Sequence, residues 1–316
     1  MESVLFHCRE MESLAKTIAG MDRRIALGGI SWNRFADKFP NIYIEKVRSI
    51  RRLNVAFLAS FESPEVIFEQ WSAMCALPRM GAQRFTIILP YFPTGTMERV
   101  DDEGQVATAK TMARLLSIIP LCGEGPADLV TYDIHALQER FYFGDNVVPR
   151  MKSAMKYLKR RLAGMEDVAI VFPDYGAYKR FKKMFEGYSI VICNKERLDG
   201  DNRKVTIVEG GASLPGKNAI IIDDVIKSGG TIIECGHAVL DAGAKSVSAY
   251  ATHGAFPEES WKKFLGSRFE HVWITDSCPL VAEIVKDKKP FEIISLAESL
   301  AHVILDEDDR DAAGAR

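Results

Sequence analysis

Residues 220–231, IIIDDVIKSGGT, run three β-branched apolar residues into two adjacent carboxylates and then into a Gly-containing turn that opens a helical stretch. An open parallel sheet gathers its ligands at the carboxyl ends of its strands, and this run has the composition of such an end. In the loop Lys227 to Thr231, Gly229 and Gly230 let backbone N–H groups approach an anion closely. Ser228 and Thr231 add hydroxyl donors at a helix N-terminus, where negative charge is favoured. Asp223 and Asp224 are acceptors only when ionised, which suits the vicinal hydroxyls of a sugar. Either half alone also occurs as an acidic strand end or an ordinary helix cap. Joined, the halves describe a pentose phosphate site. The string lacks GxxxxGK[ST], so no nucleoside triphosphate is expected in this turn.

Such a site needs a sheet to hold it. Short β-rich runs alternate with helical-period segments: VAFLAS before PEVIFEQWSAMCAL, FTIILP before VATAKTMARLLSII, then LVTYDIH. A basic amphipathic segment, MKSAMKYLKRRLAG, follows Pro149, and the pattern restarts with VAIVF, AYKRFKKMFEG, SIVICN, NAIIIDD, IIECGHAVLDAGA and VSAYATH. The alternation predicts an α/β fold with mostly parallel sheets flanked by helices, and the restart predicts domains over 1–148 and 149–294. HVWITD reads as a last strand, followed by a Lys/Pro-rich turn, a helix within 295–305 and a solvated acidic tail over 306–316. ISWNRFADKFPNIYIE reads as a strand pair standing on the first domain.

The chain has 316 residues, 47% of them apolar and 27% charged, which excludes disordered and collagen-like classes. Its 41 basic and 43 acidic residues give no general attraction to nucleic acid or to an anionic membrane, so any polyanion site is local. No apolar run approaches the ~20 residues that cross a bilayer, and the N-terminal stretch is too charged for a signal peptide. The six cysteines lie far apart without a CxxC pair, which speaks against a zinc cage or a disulfide framework. A cytoplasmic location with reduced thiols is the expectation.

The loop at 220–231 resembles the phosphoribosyl pyrophosphate (PRPP) loop of phosphoribosyltransferases and PRPP synthetases. FLASFESPEVIFEQ, LPYFPTGTMERVDDEGQVATAK, VTYDIHALQERFYFGD, VFPDYGAYKRF, ICNKERL and YATHGAFP resemble, in order, segments of PRPP synthetases (ribose-phosphate diphosphokinases). The likeness is greatest to the plant-type, phosphate-independent class and covers about residues 30–305. It implies two phosphoribosyltransferase-like domains. The first would be the ATP side, joined by the helix in 295–305, and the second would hold ribose 5-phosphate. The implied reaction moves the diphosphoryl group of ATP to the anomeric hydroxyl of ribose 5-phosphate, with Mg²⁺, giving PRPP and AMP.

The resemblance also implies roles for single residues. His135 and Asp174 match the family's metal and ATP-phosphate positions and would meet across a cleft between domains. Mg²⁺ prefers oxygen ligands and water, so His135 is expected on phosphate or a metal-bound water as readily as on the ion. Lys195 and Arg197 match a catalytic Lys and Arg, read here as lying on a mobile loop just past the strand SIVIC. Thr94, Gly95, Thr96 and Arg99 match the ATP-phosphate loop, and Phe35 and Asp37 an adenine-pocket string that a neighbouring subunit of a homo-oligomer supplies. Two strings depart from the commoner pattern. Met97, Glu98 and Arg99 stand near the position of Arg-Gln-Asp, and Lys38 and Phe39 replace Gly and Glu. Both departures bear on base selectivity and on phosphate/ADP regulation. The rival readings are a non-catalytic PRPP-synthetase-associated regulatory subunit and a phosphoribosyltransferase. The first tends to have lesions in the catalytic loop, which are not seen here, and the second needs a base-binding hood that this chain lacks.

Overall fold

The computed structural model describes residues 2–197, 203–210 and 213–307; the side chains of 195–197, 203 and 204 lie outside the described residues. It forms two units, which are described separately.

The first unit holds β1 (Ser3–His7), α1 (Glu12–Met21), β2 (Ile25–Leu27), β3 (Ile30–Arg34), β4 (Pro40–Ile44), β5 (Asn54–Leu58), α2 (Pro64–Arg79), β6 (Arg84–Ile88), α3 (Thr108–Leu116), β7 (Ala127–Tyr132) and β8 (Val147–Lys152). Its sheet runs β2-β1-β5-β6-β7-β8, parallel throughout. A sheet covered on both faces selects continuous apolar strands, and β7 is buried along its whole length. The core gathers Phe57, Phe85, Ile87 and Leu129 from the strands with Met74, Leu77 and Leu116 from α2 and α3.

The strands β3 and β4 form the expected antiparallel pair. Trp32 packs edge-on against Phe57 at 6.2 Å, and Arg34 Nε donates to the buried Glu69 of α2 at 2.6 Å. At the tip Lys38 has φ +69°, in the left-handed region. Lys38 therefore carries strain where the family pattern has Gly, of about 1–2 kcal/mol less the entropy that Gly loses on folding. Lys38→Gly is expected to stabilise the hairpin by up to about 1 kcal/mol. Slower hydrogen exchange at the Phe35 and Phe39 amides would show it, and faster exchange would refute it.

The second unit holds α4 (Met155–Leu162), β9 (Val168–Phe172), α5 (Tyr175–Phe181), β10 (Ser189–Arg197), β11 (Arg203–Glu209), β12 (Asn218–Ile226), α6 (Gly230–Asp241), β13 (Ser246–Gly254), β14 (Phe269–Thr275), α7 (Pro279–Val285) and β15 (Phe291–Ile294). Its order is β11-β10-β9-β12-β13-β14-β15, parallel except where β11 runs antiparallel to β10. From β9 the chain moves outward to β10, and β12 then lies on the other side of β9. The carboxyl ends of β9 and β12 thus flank the point where strand order reverses.

The mostly parallel α/β architecture matches the expectation, with corrections to single elements. Met151 and Lys152, read as the start of a basic amphipathic segment, close β8, and the helix begins at Met155. HVWITD is not the last strand, because β15 follows the lysine-rich turn. The residues NKER are not a turn past SIVIC but the continuation of β10, with Lys195 opposite Val205 and Arg197 opposite Arg203. The rest of the expected loop, 198–202, lies outside the described residues.

The last helix, α8 (Ala297–Ile304), belongs to the first unit. Ile304 O accepts from Ser3 Oγ at 3.2 Å, and Tyr132 donates its hydroxyl to Ser299 at 2.7 Å. Beyond it, Asp306 pairs with Arg84 and Arg150, both of which also bind Asp128, and Arg24 pairs with Glu307. The Arg84 guanidinium beside Asp306 holds its carboxyl below the usual range. A carboxyl depressed in the folded state contributes stability above its unfolded value, about 3.9, and loses it as pH falls through the folded one. Asp306→Asn is therefore expected to lower stability at pH 7 by no more than about 1 kcal/mol, seen as a lower Tm, since Asp306 is half exposed. The gap from wild type should close below about pH 4. A gap independent of pH would refute the electrostatic account.

Candidate active site

Strand β12 outruns its neighbour. It pairs with β9 only as far as Ile221, opposite Val171, and continues beside β13 to Ile226, so Asp223 and Asp224 stand past the end of β9. The Asp224 side chain is buried, and its Oδ2 lies 3.1 Å from Nη1 of Arg180 on α5. Asp223 Oδ1 accepts the Asp224 N–H at 2.9 Å. Burial first, then the charge of Asp224 and finally that of Asp174, push the Asp223 carboxyl well above its ordinary range. Two carboxylates this close resist double ionisation, and a bound diol or cation would relieve the crowding. Asp174 follows β9 and caps α5, accepting the Ala177 N–H through Oδ1 at 2.8 Å.

The turn after β12 is held from one side. Gly229 has φ +75° and starts α6. A Cβ there would stand 2.6 Å from the ring of Phe264, which is fully buried. The turn segment Pro257–Phe264 also fastens the loop's carbonyls: Ser260 Oγ donates to Lys227 O at 2.8 Å and Lys263 Nζ to Ser228 O at 3.1 Å. With these carbonyls tied away, the N–H groups at the start of α6 are left to an anion. Lys227 and Ser228 are exposed, and Thr231 is half-buried.

In the first unit Thr94 leads into the turn Gly95–Met97 after β6, and His135 follows β7. A Cβ on Gly95 would lie 3.6 Å from His135 Cβ and 3.5 Å from Glu139 Oε1, so the loop and the histidine are adjacent. His135 is exposed, whereas Glu139 is buried and accepts the Ala136 N–H at 3.2 Å. The Thr94 hydroxyl is buried without a hydrogen-bond partner among the described residues, an orphan polar atom beside the expected phosphate loop. Tyr142 donates to Glu98 O and steadies the loop from behind. Arg99 is exposed and pairs with Asp101 at 3.1 Å. Phe35 and Asp37 sit at the exposed hairpin tip, where Asp37 accepts the Phe39 N–H at 3.1 Å.

Each unit thus gathers its own group of the expected residues, Asp174, Asp223, Asp224 and 227–231 in one, Thr94, Gly95, Thr96 and His135 in the other. The side chains of Lys195 and Arg197 lie outside the described residues. Among the described residues no three His, Cys, Asp or Glu side chains form a cluster that could hold a metal by themselves. A divalent ion would need phosphate oxygens or water beside Asp174, a donor set that suits Mg²⁺. Such an ion would also ease the crowding of Asp223 with Asp224 and Asp174. The residues missed from sequence are Arg180, Glu139, Ser260, Lys263 and Phe264. None of them carried a local signal, since each reaches the site from a distant part of the chain or from within an unremarkable run.

Residues 3–119 match the family model of the N-terminal domain of ribose phosphate pyrophosphokinase, and residues 147–281 match the phosphoribosyl transferase domain. Ribose-phosphate pyrophosphokinase 3, chloroplastic, of Oryza sativa subsp. japonica is 51% identical over 311 residues, covering 95% of this chain and 75% of its own. Ribose-phosphate pyrophosphokinase 4 of Arabidopsis thaliana is 48% identical over 309 residues, covering 95% and 91%. The crystal structure of phosphoribosylpyrophosphate synthetase from Mycobacterium smegmatis superposes with a TM-score of 0.82 at 25% identity, over 96% of this chain and 98% of that one. Paired carboxylates and a glycine turn at the strand-order reversal, two phosphoribosyltransferase-like units and kinship over nearly the whole length agree, and the chain belongs to the ribose-phosphate pyrophosphokinase family.

Proposed function

We infer that this chain makes PRPP from ATP and ribose 5-phosphate. The anomeric hydroxyl oxygen bonds to the β-phosphorus of ATP, the bond from that phosphorus to the α,β-bridging oxygen breaks, AMP leaves, and the hydroxyl proton is released. The observation that carries the reading is the Asp223–Asp224 pair beside a left-handed glycine anion loop in one unit. Asp223 and Asp224 take the ribose diol, and Lys227, Ser228, Gly229, Gly230 and Thr231 take the 5-phosphate. Thr94, Gly95, Thr96, Arg99 and His135 take the ATP phosphates. Lys195 and Arg197 stabilise charge that develops on the transferring group. Mg²⁺, held through Asp174 and His135 together with phosphate oxygens and water, would neutralise that charge. No described helix is long and apolar enough to cross a membrane.

The boundary expected at 148/149 would cut β8, so the ATP-side domain of this proposal is residues 1–153 with the helix in 295–305, and the ribose 5-phosphate domain begins at Ala154. The exposed hairpin tip supports a homo-oligomer in which Phe35 and Asp37 serve a neighbouring copy's adenine pocket. The six free cysteines support a reducing compartment, proposed as the cytoplasm, although rice and spinach relatives bear chloroplastic and mitochondrial names. The test is AMP and PRPP formation from ATP and ribose 5-phosphate by the pure protein. Activity is expected to need Mg²⁺, to vanish with a chelator and to need no added inorganic phosphate. A protein that binds both substrates without forming AMP would overturn the reading, and sigmoidal activation by phosphate would overturn the last clause.

A further inference from the structure

No motif selects Arg180. It lies in a run of basic residues, AYKRFKK, that reads as one solvated helix face. The structure separates that run. Lys179 is exposed and Lys182 lies over the Tyr178 ring at 4.8 Å, whereas the Arg180 side chain is only 16% exposed and reaches the end of β12. There it meets Oδ2 of Asp224 at 3.1 Å, and that carboxylate is 5% exposed. A carboxylate so buried, with Asp223 beside it, is costly to keep charged unless a cation compensates. The Arg180 guanidinium supplies that cation through its Nη1 contact with Oδ2. The contact reaches Asp224 from the α5 side, so Arg180 bears on how the carboxylate is turned at the end of β12.

We propose that Arg180 is a positioning residue for the sugar, acting through Asp224 by orienting its carboxylate toward the vicinal hydroxyls of ribose 5-phosphate and balancing its charge. Arg180 itself touches neither substrate. The proposal rests on the reading that Asp224 binds the diol, and wild-type turnover separates the two. A wild type silent with ATP and ribose 5-phosphate sinks the reading, while an active wild type with indifferent Arg180 variants sinks this inference alone.

The experiment is steady-state kinetics on Arg180→Met, Arg180→Lys, Asp224→Asn and the Arg180→Met/Asp224→Asn double variant, beside thermal melts. Losing a hydrogen-bonded charge partner should raise KM for ribose 5-phosphate at least about tenfold in Arg180→Met, with KM for ATP changed less than about twofold. Arg180→Lys should recover part of the loss. In the Asp224→Asn background, removing Arg180 should add little, since coupled neighbours are not additive. An unchanged KM for ribose 5-phosphate, equal losses for both substrates, or additive losses in the double variant would overturn the proposal. If Arg180→Met does not fold, Arg180→Gln takes its place, and misfolding of both would assign the arginine to stability alone.

Discussion

Lys195→Ala is expected to lower kcat by about 10²–10³, equivalent to roughly 2.7–4 kcal/mol of transition-state stabilisation, while leaving KM for both substrates nearly unchanged. An interaction made only as charge develops on the transferring diphosphoryl group appears in kcat and not in ground-state binding. Lys195 lies on the extension of β10 beyond its partner β9, whose pairing ends at Ile192 opposite Phe172. From Cys193 onward, among the described residues, the strand pairs with β11 alone. A hairpin at the sheet's edge can lose a side chain with little effect on the core, so the melting temperature should hold. Arg197→Lys should also be slow, because an ammonium cannot reproduce the forked contact of a guanidinium with phosphate oxygens. Near-wild-type kcat in Lys195→Ala would return this strand to an architectural role. A collapsed melting temperature would mean that the hairpin is structural.

The same hairpin marks where the sequence could and could not be read. VAIVF announced β9 because a strand covered on both faces needs an unbroken apolar run, and all five of its residues are buried. NKERL carried no such run. Past the end of β9 this stretch of β10 pairs with one strand only, and such an extension tolerates charge, so its residues resemble those of a loop. The strand β15 was hidden for a related reason: it has only four residues, FEII, placed directly after a lysine-rich turn. In the site, chemistry carried by neighbours in sequence was legible. Asp223, Asp224 and the glycine turn share twelve residues, and the structure brings them together at the end of β12 and the start of α6. What stayed illegible depends on long-range packing. Arg180 reaches Asp224 from 44 positions away, and Ser260 and Lys263 lie 33 and 35 positions from the loop carbonyls they hold. No local pattern encodes such contacts, because they exist only once β12 has passed the end of β9 and the segment after β13 has folded back.

Gly229 tests whether that long-range support matters. Gly229→Ala is expected to raise KM for ribose 5-phosphate sharply and to lower the melting temperature, for two additive reasons. At φ +75° a non-glycine residue costs about 1–2 kcal/mol. The new Cβ would also meet Phe264 Cε2 at 2.6 Å. That ring cannot retreat, since it packs edge-on against Phe256, Phe269 and Phe291 at 5.7, 5.6 and 5.9 Å. Overpacking of this kind costs about 1–3 kcal/mol more. The chain's cheapest escape is to lift the loop away from Phe264, which would turn the first N–H groups of α6 from the phosphate and spoil binding as well as stability. Gly236→Ala is the control, because its Cβ would clash with Phe269 at 2.6 Å in the same aromatic cluster but about two turns further along α6. Both variants should melt early, and only Gly229→Ala should lose ribose 5-phosphate. Equal KM values for the two would mean that the loop's conformation does not set sugar-phosphate affinity. A Gly229→Ala protein as stable as wild type would mean that Phe264 does not hold the loop in place.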